Sequence, residues 1–448
     1  MTPLMTVPRT ICLGFLAVIA IGTFFLWMDD TIYHSSFGNP ITALFLATSA
    51  VCVTGLSVVD VSEFYSFWGH FCLVSLVEIG ALGYMTANTI LLLLIGRKFG
   101  LRDKLALQKS LDTAGIAGVM PLLRSIIATM ALFQIAGVIL LMIVFLPDYG
   151  LKNSLWLAIF HSVNGFNNAG FSLLEESLVD YVSSPIVNIT MSILIIFGGL
   201  GYQVIMELFL WIKTTLNKEP MRRDFSLHFK VVTSTTIILL FSGFFLFFIT
   251  EFNNPQTLQS LTIFGKMQAA WFQSVTSRTA GFNTISIGDM TYSGILITMI
   301  LMFIGASPGS TGGGLKTTTS RILVNCTKAA LQGRDEVLCY QRKIPSPLIL
   351  KAVGVLVGSI TVVCVATLLI VIMQPELGFG SIFFEIVSAF GTVGLSTGIT
   401  GDFSMLSRLI IIATMYIGRV GVLLLMSAVL GDPQPSSIDY PEENLLVG

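Results

Sequence analysis

The sequence predicts an all-α integral membrane protein made of four tandem repeats, each a span, a short re-entrant pore helix and a second span. Composition is the first reason: 54% of the 448 residues are hydrophobic and only 11% are charged, with a mean hydropathy of +0.85. A soluble protein carries about 25% charged residues. The second reason is that long and short apolar segments alternate along the chain. The third is a glycine motif that occurs four times at a nearly constant spacing.

Eight apolar segments are long enough to cross a bilayer, which takes about 20 residues. Their predicted limits are 10–28, 67–95, 123–147, 184–212, 230–250, 290–328, 349–373 and 405–430. Four shorter apolar segments lie between spans one and two, three and four, five and six, and seven and eight. Their limits are 41–52, 154–166, 266–277 and 379–390. A segment this short cannot cross, and a non-helical return is tolerated in the membrane only inside protein or beside a water-filled cavity. We therefore interpret each short segment as a re-entrant pore helix.

Each short segment ends at one copy of the glycine motif. The central glycines are 111 to 115 residues apart, and the copies read Val53-Thr54-Gly55, Asn168-Ala169-Gly170, Thr279-Ala280-Gly281 and Thr392-Val393-Gly394. Potassium channels build a selectivity filter from such a strip, in which backbone carbonyls replace the hydration shell of the ion. Glycine suits the strip because it reaches dihedral angles that other residues avoid. The alternative is that these glycines only pack helices together, which does not explain their period or the short helices before them.

The repeats and the basic residues predict the domain limits and the orientation. The predicted limits are 1–98, 99–215, 216–343 and 344–431, followed by a tail at 432–448. Together with the adjoining ends of the spans, the linkers after spans two, four and six hold 17 of the 24 lysine and arginine residues. The regions that contain the glycine motifs hold only Lys152, Lys266, Arg278 and Arg408. By the positive-inside rule the motifs open outward and both termini are cytoplasmic.

Four span–pore helix–span repeats with one central glycine each resemble the Trk/Ktr/HKT superfamily of cation transporters over essentially the whole chain. Among its members the length is most similar to the membrane subunit of a bacterial Ktr potassium-uptake system. The resemblance implies that the four motifs form a potassium-selective filter around Gly55, Gly170, Gly281 and Gly394. Sodium-selective plant relatives have a serine at the first of these positions. Gly55 therefore favours potassium as the transported ion.

The resemblance also implies an activity, a location and partners. The activity is potassium uptake across the cytoplasmic membrane of a bacterium, through one pore per chain, with no covalent cofactor. The partners are a second copy of the chain, the lipid bilayer and a cytoplasmic ring of KtrA-type nucleotide-binding regulatory subunits. A net charge of −1 gives no reason to expect a nucleic-acid partner. Sodium dependence stays open.

The sequence leaves two alternatives to potassium uptake. A sodium or low-selectivity cation pathway is the alternative within transport, and Gly55 argues against it. A membrane-embedded enzyme is the alternative from another class. It would need a nucleophile, a base or metal ligands that converge within the spans, and none of the four histidines is paired at ligand spacing.

Span six contains a glycine-rich stretch, FIGASPGSTGGGLKTTTS, from Phe303 to Ser320. Glycine costs about 1 kcal/mol and proline about 3 kcal/mol in a helix interior, so we expect the helix to break here. A phosphate-binding loop of the form G-x-x-x-x-G-K-[ST] is one interpretation. Leu315 breaks this motif because it separates Gly314 from Lys316, and no strand precedes it. A structural kink is the second. The third, which the resemblance favours, is a gating loop below the filter, with candidate residues Gly305, Gly309, Ser310, Thr311, Gly312, Gly313, Gly314, Lys316 and Arg419.

Arg419 lies in the middle of the last predicted span, where a buried arginine must face the protein interior or a wet cavity. The resemblance implies that it projects into the permeation path and holds the gating loop when the pore is empty. The alternative is a structural ion pair with Glu78 or Glu207. We expect changes in the gate to leave ion selectivity intact, because the filter is taken to lie elsewhere. Glu385 is expected to brace the fourth motif and His161 to serve in packing or hydrogen bonding.

Overall fold

The computed structural model describes residues 6–35, 37–83, 119–217 and 225–431, without the side chains of residue 7 and residues 119–124. Several predictions concern residues outside these ranges. They are the end of span two at 84–95, most basic residues of the first two cytoplasmic linkers, and the tail at 432–448. The described part is helical apart from its loops and one small hairpin.

The helices follow the predicted order of apolar segments. The first half contains α1 (Val7–Tyr33), α2 (Pro40–Val51), α3 (Val61–Phe64), α4 (Phe67–Leu82), α5 (Val119–Asn167), α6 (Pro185–Leu200) and α7 (Tyr202–Leu216). The second half contains α8 (Leu227–Glu251), α9 (Ile263–Thr276), α10 (Tyr292–Phe303), α11 (Thr317–Leu331), α12 (Ser346–Met373), α13 (Phe379–Gly391), α14 (Met405–Val420) and α15 (Val422–Leu430). Short 3-10 turns lie at Val179–Tyr181, Pro375–Leu377 and Thr400–Asp402.

The four predicted pore helices are present as short helices, at α2, residues 151–167 of α5, α9 and α13. In α5 the short helix is separated from the long one by a kink at Gly150. Before α2 and α9 the sequence supplies N-caps. The Asn39 side chain accepts a hydrogen bond from the Ile41 N–H at 3.0 Å before α2, and Thr262 does the same for the Gly265 N–H at 3.2 Å before α9. Such caps satisfy amide groups that a helix start leaves unpaired.

The short helices lie inside the molecule and the long helices surround them. Most residues of α2 and α13 are buried, whereas α1, α8 and α12 expose large apolar side chains such as Leu13, Ile237 and Leu368. In water such exposure would be costly, but a bilayer solvates it. Glycines let three of the following helices approach the short helices closely. Each of these glycines lies against a backbone carbonyl near the end of a short helix, where a side chain would not fit. The pairs are Gly80 with Val51, Gly198 with Phe166 and Gly418 with Phe390.

Two spans that the sequence predicts as single segments are bent in the structure. The segment predicted at 184–212 forms α6 and α7, which meet at 106°, and the segment at 405–430 forms α14 and α15, which meet at 95°. The bends fall at Gly201 and Gly421, whose φ angles of +90° and +88° cannot continue a helix. Four described helices are long and apolar enough to span a membrane alone, and the bent pairs raise this number to six.

Span six is broken as expected, into α10 and α11. We call the connecting residues 304–316 the break loop. Its ends are joined by a parallel bridge between Ile304 and Leu315. After α11 the chain forms an antiparallel hairpin of β1 (Leu338–Cys339) and β2 (Arg342–Lys343). The prediction of an all-α chain was wrong for this hairpin, whose two-residue strands leave too little periodicity to detect.

Candidate functional site

The four glycine motifs, which we call the glycine loops (53–57, 168–172, 279–283 and 392–396), meet in a closed ring. A Cβ atom placed on Gly55 would lie 3.0 Å from the Cα of Gly170, and one on Gly170 would lie 2.9 Å from the Cα of Gly281. Gly281 approaches Gly394 in the same way, at 3.2 Å, and Gly394 approaches Gly55, at 3.1 Å. Segments more than 100 residues apart in sequence therefore converge on one small region.

The backbone of all four glycine loops adopts the same unusual conformation. The central glycines have φ angles between +74° and +93°, which glycine tolerates best. Two residues before each glycine a non-glycine residue also has positive φ: Val53 (57°), Asn168 (59°), Thr279 (69°) and Thr392 (50°). A β-branched residue rarely adopts this region, and such strain persists only where the surroundings enforce it.

Backbone carbonyl oxygens line the contacts between neighbouring loops. The oxygens of Thr54, Ala169, Ala280 and Val393 each lie against the glycine of an adjacent loop. Within the described part of the chain, none of these four oxygens accepts a hydrogen bond. The short helices end just before the loops, so their carboxyl ends, with partial negative charge, are directed at the same region. The ring thus offers unpaired oxygens in a field that favours a cation.

Buried polar side chains brace two of the glycine loops from behind. Glu385 on α13 accepts hydrogen bonds from Ser396 Oγ at 2.6 Å, from the Thr397 N–H at 3.0 Å and from Thr400 Oγ1 at 3.0 Å. His161 occupies the corresponding place in the second short helix, with Nε2 2.9 Å from Ser172 Oγ. These contacts are the ones expected for the two residues, and they connect each short helix to the chain that follows its glycine.

The break loop packs directly against the glycine loops. The Gly313 N–H donates to Thr392 Oγ1 at 3.0 Å. A Cβ atom on Gly312 would collide with Thr279 Oγ1, and one on Gly313 would lie 2.8 Å from Thr392 Cγ2. Glycine is therefore needed at these two positions because a side chain has no room there. This requirement is additional to the role of the glycines in ending the helix. The expectation that the break loop lies apart from the motifs was wrong.

Three basic side chains, two from other segments and one within the loop itself, donate to carbonyl oxygens of the break loop. Arg419 Nη1 donates to Thr311 O, and its Nη2 donates to Gly80 O at 2.5 Å and to Ala81 O at 3.3 Å. Lys316 Nζ donates to Gly312 O at 2.6 Å. Arg278 Nη2 donates to Gly305 O at 3.3 Å. Charged donors make hydrogen bonds about twice as strong as neutral ones, so the break loop is held firmly.

In the structure Arg419 forms no ion pair with Glu78 or Glu207, and both glutamates have other partners. Glu78 accepts hydrogen bonds from Gln134 Nε2, at 3.2 and 3.3 Å, and from Asn167 Nδ2. Glu207 accepts from the Ser226 N–H at 2.6 Å and from Ser226 Oγ at 2.7 Å. The two ion pairs among the described residues, His34–Asp30 and Lys343–Glu336, involve neither glutamate.

Arg278 is the residue of this site that sequence reasoning misplaced. The charge count assigned it to the outer surface, but its side chain is 7% exposed and reaches the break loop. A signal was present: Arg278 directly precedes the third glycine loop, where the other repeats have Cys52, Asn167 and Gly391. A charged residue at this buried position needs a partner, which the break-loop carbonyl supplies.

Comparison with solved structures agrees with this architecture. The crystal structure of the potassium transporter TrkH from Vibrio parahaemolyticus matches with a TM-score of 0.68, covering 96% of this chain and 86% of that chain at 19% identity. Likeness at this identity shows the fold alone. The fold, its apolar helices and the central ring of backbone oxygens define the class: a helical membrane protein built around a polar centre.

Sequence comparison then gives the family. The Ktr system potassium uptake protein B of Bacillus subtilis strain 168 is 36% identical over 99% of this chain and 97% of its own length. The potassium/sodium uptake protein NtpJ of Enterococcus hirae is 35% identical over 98% of this chain and 97% of its own length. The chain belongs to the TrkH family of cation transport proteins, whose sequence profile matches residues 9–440. The expected family is confirmed, as is the expectation of a transporter rather than an enzyme.

Proposed function

We propose that the chain carries potassium into the cell through the ring formed by the four glycine loops. The observation that carries this proposal is the closed ring itself, where carbonyl oxygens from all four loops meet and accept no hydrogen bond from the described residues. Carbonyl oxygens in such a ring can replace the water shell of a monovalent cation. The membrane potential supplies about 2.3 kcal/mol per charge per 100 mV for inward movement, so the protein needs no covalent chemistry.

The proposal includes the four-repeat architecture with limits at 98, 215, 343 and 431, in the cytoplasmic membrane of a bacterium. Three observations support it. The long helix, short helix and glycine loop recur in order, the four loops share one backbone conformation, and three glycines of the following helices pack on short helices in the same way. Equal local structures at a period of about 113 residues are typical of tandem repeats.

The break loop is proposed as the gate of this pathway. It lies against the glycine loops on the side where the short helices end, and Arg419, Lys316 and Arg278 hold its carbonyls. The positive charge of these residues opposes cation flow while the loop is in place. Releasing the loop would remove both the obstruction and part of this charge from the pathway.

The chain is further proposed to act as a homodimer on a cytoplasmic ring of nucleotide-binding regulatory subunits. Support comes from the names of its relatives, which describe one protein of a Ktr system. Sodium is proposed as the coupled or competing ion, because one relative is named a potassium/sodium uptake protein. We assign the regulatory contact to the end of α11 and its hairpin, because α11 directly follows the break loop in the chain.

Complementation tests the proposed function. Cells that lack potassium uptake are transformed with this chain and grown at low external potassium, with and without added sodium, and initial potassium uptake is measured. Growth rescue and saturable uptake are expected. A variant that lacks residues 310–314 is included, because its uptake should not depend on a regulatory partner. The proposal would be contradicted if neither the unmodified chain nor the deletion variant restored potassium uptake although both were present in the membrane. Transport of sodium without potassium would also contradict it.

A further inference from the structure

One hydrogen bond joins the break loop to the ring. The Gly313 N–H donates to Oγ1 of Thr392, which is the first residue of the fourth glycine loop. Both residues are buried while the loop is in place, so after a small displacement of the loop no water would replace the lost bond. An unpaired buried donor or acceptor costs more than the net value of the bond, which makes this contact sensitive to the position of the break loop.

Thr392 is also a strained residue. Its φ of +50° lies in a region that β-branched residues avoid, so its conformation depends on outside contacts. The next carbonyl, that of Val393, lies against Gly281 in the ring. A contact that fixes Thr392 therefore fixes the direction of a ring oxygen one residue further along.

The third glycine loop has a parallel connection. Gly312 packs on Oγ1 of Thr279, and Arg278, the residue just before Thr279, donates to Gly305 O at 3.3 Å. The carbonyl that follows Thr279 belongs to Ala280 and lies against Gly170. Two neighbouring quarters of the ring are thus in contact with the break loop at the same strained position of the glycine motif.

We propose that Thr392 couples the position of the break loop to the cation affinity of the ring. This inference rests on the proposed function. With the loop in place, Thr392 is held and the ring oxygens are preorganised, which favours binding. When the loop leaves, Thr392 becomes more mobile and the affinity of the ring for the cation falls. The step that opens the pathway therefore also favours release of the ion. Because coupling is reciprocal, a cation in the ring favours the closed loop by the same factor.

The substitution Thr392→Val tests the coupling in the full-length chain. Valine has the same shape, and Val53 occupies the corresponding position of the first glycine loop at φ +57°, so the change fits this backbone. We expect the KM for potassium to rise about two- to tenfold, the effect of one neutral hydrogen bond, with a higher maximal rate. Thr367→Val is the matched control, because that buried hydroxyl bonds Val363 O of its own helix α12.

A double variant separates coupling from a direct role of the hydroxyl. In a chain without residues 310–314 the Gly313 donor is absent, so adding Thr392→Val should leave KM where the deletion alone puts it. The same rise in both backgrounds, or no rise in the single variant, would overturn the coupling while leaving potassium uptake established. No uptake by the unmodified chain in the same assay would instead refute the proposed function.

Reciprocity gives a second measurement that needs no change at Thr392. Ser310→Cys is introduced into a chain whose six cysteines have been replaced, and labelling by a membrane-impermeant thiol reagent is timed from the cytoplasmic side. Potassium should slow labelling relative to choline, since an occupied ring keeps the break loop in place. Equal rates in the two salts, in a chain that still transports potassium, would contradict the inference.

Discussion

At the scale of single residues, the ring glycines combine a backbone constraint with a steric one. Gly55 has a φ of +86°, and a Cβ there would lie 3.0 Å from the Cα of Gly170. Left-handed conformation costs a non-glycine residue about 1–2 kcal/mol, before any collision is counted. We predict that Gly55→Ser raises the KM for potassium about tenfold or more and lowers the preference for potassium over sodium. Uptake competition between the two ions measures both.

The control for this prediction is a glycine with the same backbone strain and no ring contact. Gly333, between α11 and the hairpin, has a φ of +61° with open space around it. Gly333→Ser should cost stability through its backbone alone and leave KM unchanged. Unchanged affinities after serine replacement of Gly55, Gly170, Gly281 and Gly394 in turn would remove the filter assignment.

At the scale of elements, the break loop is held by two kinds of contact that can be removed separately. Arg419→Ala removes the bond to Thr311 O, whereas deleting residues 310–314 removes that bond and the Gly313–Thr392 bond. Both changes should raise the maximal uptake rate about ten- to a hundredfold, since a charge-assisted bond contributes about 1.5–3 kcal/mol. The effects on rate should not add. Both should also raise the KM for potassium, because a released loop no longer holds Thr392.

Arg408→Ala is the matched control for Arg419, because it removes an arginine from the first turn of α14, where Nε donates to Phe403 O. It should leave the uptake rate near that of the unmodified chain. If the break loop is a structural kink rather than a gate, the deletion and Arg419→Ala should both reduce flux. Lower flux in both at equal protein levels in the membrane would reject the gate.

At the scale of the whole molecule, the distribution of basic residues predicts which face meets the cytoplasm. Arg342 in the hairpin and Lys152 in the first turn of the second short helix are both exposed. A cysteine at Arg342 should react with an impermeant reagent only from the cytoplasmic side, and a cysteine at Lys152 only from outside. The same assay applies to Lys104 and Arg223, which lie outside the described residues. The reverse pattern would overturn the orientation and the direction of the pathway.

Much of the architecture could be predicted because hydrophobic length is a strong local signal. The limits predicted for α2, α8, α9 and α13 agree with the structure within a few residues. The 106° and 95° bends could not be predicted, since a glycine inside an apolar segment is compatible with a straight helix or a bend. Which occurs depends on the neighbouring helices that satisfy the freed backbone groups.

For the site, the chemistry-bearing residues could be identified from their pattern along the chain, but their contacts depend on how the chain packs in three dimensions. The period of the motif singles out Gly55, Gly170, Gly281 and Gly394, because repeats leave a trace in one dimension. Contacts between the break loop, Thr392 and Arg278 join residues 27 to 79 positions apart, which no local pattern encodes. Buried polar groups must find partners, but sequence cannot say which of several nearby in space they find. Packing makes that choice, and in this chain it brings the break loop and the ring together.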